Sequence, residues 1–333
     1  MAAGYFLGAS RGLPTGVSGF FGYQFSIGIA IWLTASLPFV AVYTLLWTVK
    51  RGWHRPLRYL IATFLMGVPP LGIIGWASPI TAAGILFPGW GWWGLGAMAA
   101  GLMLMASRYW PVAVLVLGGC YAWSIASWIA PTAPDGWVGI NTEFRLSTGG
   151  RNASYEQHLE TIALVMKAAQ AGARTIVLPE SAFGVWTRTT EQLWGRYLVG
   201  SGVTIYGGAT AIDPASYDNV ATEIMPERSR IIYRQRMPVP LSMWQPWGRG
   251  GARAHFFESP TTEFAGVSVA PLICYEQLLI WPVIQSMFYD PEVIVATGNG
   301  WWTGGSNVIA IQKASAQSWA SLFGLPLVMA FNT

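Results

Sequence analysis

The chain runs to 333 residues, 53% of them hydrophobic and 10% charged, with a mean hydropathy of +0.41. Soluble domains carry about 25% charged residues, so an ordinary soluble protein is excluded, and a disordered one with it. Residues 1–130 hold no Asp or Glu and six basic side chains, whereas 131–333 hold all fifteen acids beside thirteen Lys or Arg, a net −2. The formal +4 therefore belongs to the apolar part, and no nucleic-acid partner is expected. This division predicts a membrane domain over 1–130 joined to a globular domain over 131–333.

In chain order, Met1–Ala9 is apolar but too short to span a bilayer, and reads as the tail of a span whose beginning is absent. Uncharged stretches of about twenty residues are long enough to cross. Four are expected, over about Phe25–Trp47, Tyr59–Gly75, Ala82–Met105 and Pro111–Ala130. The loop Lys50–Arg58 is the densest basic cluster, so it is placed in the cytoplasm. Two further crossings return Arg108 to that side, and one more sends 131–333 outward. A multi-pass inner-membrane protein with a periplasmic second domain follows. Tryptophans around Trp90, Trp92 and Trp93 suit the membrane interface. The N-terminus lacks the basic region and short apolar core of a cleavable signal.

After Pro131–Gly136 the pattern becomes alternating strands and helices. Strands are predicted at Trp137–Phe144, Arg174–Leu178, Val203–Ile212, Arg230–Gln235, Gly266–Ile273, Val293–Ala296 and Leu327–Phe331. A helix is predicted from a capping box at Ser154–Gln157 to about Ala171, and another over Asn307–Phe323. Such alternation argues for a layered α/β domain. The chain stops on a strand, so that domain is expected to be incomplete at its C-terminus.

Three points carry chemistry. Glu180 follows an apolar strand and Pro179, at a rim where desolvation would raise its pKa toward that of a base. Read alone, it is more readily a surface acid opening a loop. Cys274 lies between a strand and a helix start, where the helix dipole favours thiolate. Read alone, it is more often a core thiol, since free Cys is among the commonest core residues. Alternation along Arg230–Arg236 puts Tyr233 and Gln235 on one face and Arg234 and Arg236 on the other. Cys120 sits in an apolar run, so no disulfide with Cys274 is expected. His54, His158 and His255 are not spaced as metal ligands, and neither metal nor cofactor is expected. A Cys274–His255 dyad is the minor alternative to a Glu180 partner. Gly207-Gly208 and Gly304-Gly305 lack the setting of a phosphate loop.

Together, Glu180, the strand at 230–236 and Cys274 resemble, in order and spacing, the nitrilase (carbon–nitrogen hydrolase) superfamily. Ala296–Gly305 and the last helix and strand, Gln312 to Asn332, resemble it too. The resemblance implies an αββα domain and a Glu–Lys–Cys catalytic set, here Glu180, Gln235 and Cys274, with Gln235 where the superfamily has Lys. It also implies supporting roles for Tyr275, Glu276, Asn299 and Trp301. With membrane spans in front, the chain resembles apolipoprotein N-acyltransferases, whose nucleophile segment reads as Ile273-Cys-Tyr-Glu276 does. Met243 replaces a Glu of that pattern. A closer likeness is to the TraB-type conjugal transfer proteins of rhizobial plasmids. It lies in Ala2–Leu7, Ser10–Pro14, Tyr233–Pro240 and Met243–Trp247, and implies a chain longer at both ends.

Two functions stay open. One is a Cys-dependent acyltransferase or amidase: Cys274 attacks an acyl group, Glu180 moves the proton, and Gln235 with backbone N–H groups binds the oxyanion. Gln keeps a donor but loses the Lys charge. Arg234 or Arg236 could restore it only if a bulge turned one inward. The other is a catalytically inactive membrane assembly or envelope component of plasmid conjugation. The partners implied are the lipid bilayer, a lipid or lipidated acyl donor, and other conjugation proteins.

Overall fold

The computed structural model describes every residue except Met1, Tyr23, Arg51, 145–149 and Gly305, and gives 150–153 as backbone only. Arg51 of the basic loop and Gly305 of the second glycine pair thus lie outside the described residues. The chain forms two compact units. The first comprises Met1–Pro131, Leu278–Ile284 and Thr303–Leu325; the second comprises Thr132–Gln277, Gln285–Trp302 and Pro326–Thr333.

The first unit contains α1 (Ala2–Ala9), α2 (Leu13–Phe21), α3 (Phe25–Leu45), α4 (His54–Leu65), α5 (Ala83–Leu86), α6 (Gly91–Met105) and α7 (Trp110–Ser127). Among the described residues two helices, α3 and α7, are long and apolar enough to cross a membrane. The continuous spans expected over Tyr59–Gly75 and Ala82–Met105 do not form. Helix α4 ends at Leu65, just before Gly67, Pro69 and Pro70. Proline lacks the N–H that a continuing helix needs, and its ring clashes with the preceding turn. The chain instead makes 3-10 turns at Leu71–Ile74 and Pro79–Ala82. Helix α6 has 15 residues, a rise of roughly 22 Å against a hydrocarbon core of about 30 Å. The irregular backbone between α4 and α6 is folded inside the unit, with Met66, Ile73, Ala77, Ala83 and Phe87 buried. Glycines permit the tightest crossings: a β-carbon on Gly84 would lie 1.7 Å from the Ser318 carbonyl oxygen.

The second unit begins with β1 (Trp137–Gly139), α8 (Gly150–Gln170), β2 (Thr175–Val177), α9 (Arg188–Leu198) and the hairpin β3 (Thr204–Asp213) and β4 (Ser216–Ile224). It continues with β5 (Ser229–Arg234), β6 (Thr262–Phe264), β7 (Val267–Ile273), β8 (Val293–Asn299) and β9 (Leu327–Asn332). Between β7 and β9 also run α10 (Ile280–Met287), which belongs to the first unit up to Ile284 and to the second from Gln285, and α11 (Val308–Phe323), which belongs to the first unit. Helix α8 starts at Gly150, so Ser154 lies inside it and does not cap it. The sequence reading missed α9, α10, β4 and β6.

One sheet has the order β1-β2-β3-β4-β5, the other β6-β7-β8-β9. The β1-β2-β3 and β7-β8-β9 pairings are parallel and the remainder antiparallel. Alternation along the strands sorts the core into two layers. Ile176, Ile205 and Val220 pack beneath Ile162, Val165, Trp194 and Leu198 of α8 and α9. Their neighbours Val177, Tyr206 and Ala221 face Phe264, Val269, Val293, Val295 and Val328 of the second sheet. The unit is therefore helix on sheet on sheet, and it brings the ends of β2, β5 and β7 to one place.

Candidate active site

Glu180 stands just past β2, after Leu178 and Pro179, and is buried. Two features of β3 make room for it. Gly208 donates its N–H to the Pro179 carbonyl at 3.0 Å, and a β-carbon on Gly208 would lie 1.6 Å from the Glu180 carbonyl oxygen. The Gly207-Gly208 pair is thus a space requirement of this loop.

The carboxylate of Glu180 accepts from the Cys274 thiol and from the Asn299 backbone N–H. Asn219 Nδ2 donates to its Oε1 at 3.1 Å. Burial raises its pKa to about 7 against these bonds, with the nearby Glu276 charge adding to the rise. Tyr217, one residue before Asp218 on β4, lies in the same field: burial first and Glu180 second raise its pKa.

Cys274 opens a 3-10 turn, Cys274–Leu278, directly after β7, with φ +50°. A non-glycine residue in the left-handed region costs on the order of 1–3 kcal/mol and persists only where its surroundings enforce it. Here both sides of the preceding residue are held. Ile273 donates its N–H to Glu276 Oε2 at 2.8 Å, and Gln235 Nε2 donates to the Ile273 carbonyl at 3.1 Å. Gln277 adds bonds to the Leu272 and Thr297 carbonyls at 3.1 and 2.8 Å.

Glu276 is the buried anion of this turn. Its Oε1 accepts from the backbone N–H groups of Arg236 and Met237 at 2.6 and 3.2 Å, and Tyr233 Oη lies 3.0 and 3.1 Å from its two oxygens. Burial raises its pKa, while Arg236 and the backbone donors pull it back down. Strand β5 ends at Arg234, so the alternation that would turn Arg236 outward stops before it. Arg236 is fully buried. Its guanidinium donates to Tyr233 Oη at 2.7 Å, Gln285 Oε1 at 3.0 Å and Ser286 Oγ at 3.0 Å. Its charge serves Glu276. Arg234 instead pairs with Asp218.

The structure thus brings Glu180, Gln235 and Cys274 together, with Glu276 beneath them. Asn299 joins through its backbone, while its side chain ties Ser181 Oγ (2.9 Å) to Asn332 (2.9 Å). Tyr275 is buried, which pushes its phenol pKa far up. Trp301 is half-buried in the turn after β8. The His255 ring reaches Asp218 at 2.8 Å and Glu258 at 2.9 Å, so both nitrogens are committed away from Cys274. Among the described residues no cluster of three His, Cys, Asp or Glu is arranged for a metal. Sequence reasoning missed Asn219, whose Nδ2 also donates to Gln235 Oε1 at 3.0 Å. The usable signal was the Asp213-Pro-Ala-Ser216 break after a strand, which reads as a hairpin turn.

The profile of the carbon-nitrogen hydrolase family matches residues 45–321. The chain belongs to the carbon-nitrogen hydrolase family. It is 53% identical, over its whole length and 82% of the other chain, to the conjugal transfer protein TraB of Agrobacterium fabrum (strain C58 / ATCC 33970). To the probable conjugal transfer protein TraB of Sinorhizobium fredii (strain NBRC 101917 / NGR234) it is 52% identical, over all of this chain and 87% of the other. A solved amidase from Nesterenkonia sp. aligns over 59% of this chain and 75% of its own, with 12% identity and a TM-score of 0.44.

Proposed function

We propose that the chain is a conjugal transfer protein whose carbon-nitrogen hydrolase domain performs acyl transfer or amide hydrolysis through Cys274. The observation that carries this reading is the Cys274 thiol bonded to a buried carboxylate whose pKa stands near neutrality. A base poised near the working pH is the most effective proton acceptor. In the first half-reaction the thiol proton passes to Glu180 and sulfur bonds to the acyl carbonyl carbon. The tetrahedral intermediate then collapses, Glu180 returns the proton to the departing amine or alkoxide, and a thioester remains. An amine or water next attacks the thioester, giving its proton to Glu180, and the C–S bond breaks to regenerate the thiol. Oxyanion donation falls to backbone N–H groups and to the Nε2 hydrogen that Gln235 does not spend on Ile273.

The apolar first unit supports a bilayer setting. With α3 and α7 crossing and the shorter α4 and α6 embedded between them, the basic loop at 50–58 stays cytoplasmic and the second unit is periplasmic. Two crossings give the same side as four. An inner-membrane setting makes a lipid or lipidated chain the natural acyl donor, and other conjugation proteins natural partners. The uncharged Gln235 favours one alternative, a catalytically silent envelope or assembly component. Two measurements decide between them: capture of a hydroxylamine-labile acyl group on Cys274 in membranes, and plasmid transfer by Cys274→Ser at matched protein level. An acyl adduct with impaired transfer supports the enzyme. Unimpaired transfer without an adduct refutes it.

A further inference from the structure

Two neutral amides link Glu180 to the turn that carries Cys274. Asn219 Nδ2 spends one hydrogen on Glu180 Oε1 (3.1 Å) and the other on Gln235 Oε1 (3.0 Å). Gln235 also gives its backbone N–H to the Asn219 carbonyl at 2.8 Å, so the two residues are joined at side chain and main chain. Its Nε2 then reaches the Ile273 carbonyl, immediately before Cys274. The chain of bonds runs Glu180, Asn219, Gln235, Ile273 and closes through the thiol of Cys274 back onto Glu180. Both amides are buried. The titratable groups that face Glu180 are the Cys274 thiol, the Glu276 carboxyl and the Tyr217 phenol.

We propose that Asn219 is a positioning residue of this site, and that with Gln235 it forms a neutral amide bridge fixing the base against the nucleophile and setting the base's strength. An ammonium in this place would stabilise the Glu180 anion and weaken it as a base. The amide bridge supplies geometry without that charge, so the carboxylate remains basic enough to take the thiol proton. This inference rests on the thiol-nucleophile reading of Cys274.

The test is alkylation of Cys274 by iodoacetamide in the purified full chain between pH 5 and 9, followed by peptide mass spectrometry of the Cys274 peptide, with a free-thiol peptide added to each reaction as reference. In the reaction sulfur bonds to the methylene carbon, iodide leaves and the thiol proton passes to Glu180. Asn219→Asp sets a second carboxylate against Glu180 and should raise the pH midpoint by about one unit or more. Gln235→Lys should lower it by about 1–3 units. Asn219→Leu should slow labelling at neutral pH. If that variant fails to fold, the isosteric Asn219→Asp and the charge-altering Gln235→Lys still decide. Equal midpoints in wild type, Asn219→Asp and Gln235→Lys would overturn the bridge while leaving the acyl reading intact. Absence of Cys274 labelling in wild type would overturn both.

Discussion

Replacing Glu180 with Gln should make the protein more stable at alkaline pH and leave it unchanged at acid pH, because the native fold holds this carboxylate at a cost. Its pKa rises from 4.5 to about 7 on folding, which at about 1.4 kcal/mol per unit amounts to about 3 kcal/mol. Below 4.5 the group is protonated both folded and unfolded, and contributes no penalty. Between 4.5 and 7 the unfolded chain ionises while the native site keeps its proton, so stability falls as pH rises through that window. Above about 7 both states are ionised and the whole cost is present. The substituted amide cannot ionise, so Glu180→Gln should remove this slope. The expected gain over wild type is about 6–12 °C in Tm at about pH 8.5, taking 2–4 °C per kcal/mol for a domain of this size. The assay is thermal unfolding of both proteins in the same detergent at about pH 3.5 and about pH 8.5, on either side of the titration. Burial also raises the pKa of Glu276; that group is present in both proteins, and the repulsion it exerts on Glu180 disappears together with the Glu180 charge, so relief of it is part of the expected gain. A difference that is the same at the two pH values would refute the reasoning, whatever its size.

Gly208→Ala should displace the Glu180 loop, since the added carbon meets a backbone carbonyl at 1.6 Å; we expect about 1–3 kcal/mol of destabilisation and loss of Cys274 alkylation, read by denaturation and mass spectrometry. Arg236→Met should cost about 3–5 kcal/mol by leaving the buried Glu276 without its cation, and Arg236→Met combined with Glu276→Gln should recover most of it in urea unfolding. A reporter active only in the cytoplasm, fused after Thr333, should be silent, and activity there would reverse the proposed orientation.

The sequence by itself determined that residues 1–130 are apolar and acid-free and that all fifteen acids follow them, because hydropathy and charge are sums over residues and need no coordinates; that Leu278–Ile284 and Thr303–Leu325 pack with the first unit was not legible there. It also placed Glu180 and Cys274 at strand ends, since a short apolar run that halts at a proline or a turn is visible locally. The polar opening of β4, Ser216-Tyr-Asp-Asn219, concealed its alternation, and Asn219 was lost with it. Counting apolar residues gave four spans, but Pro69 and Pro70 break the helix that such a count assumes. Only the tertiary structure decided the surroundings of Cys274. Its left-handed backbone is held by Glu276 and Gln235, the latter bonded to a residue 38 positions away along the chain. The fate of Arg236 was decided there too: a period-2 rule holds while a strand lasts, and β5 ends two residues too soon. The pKa of Glu180 is likewise a property of burial and of neighbours brought in from the turn after β7 and from β8, so no local stretch of sequence contains it.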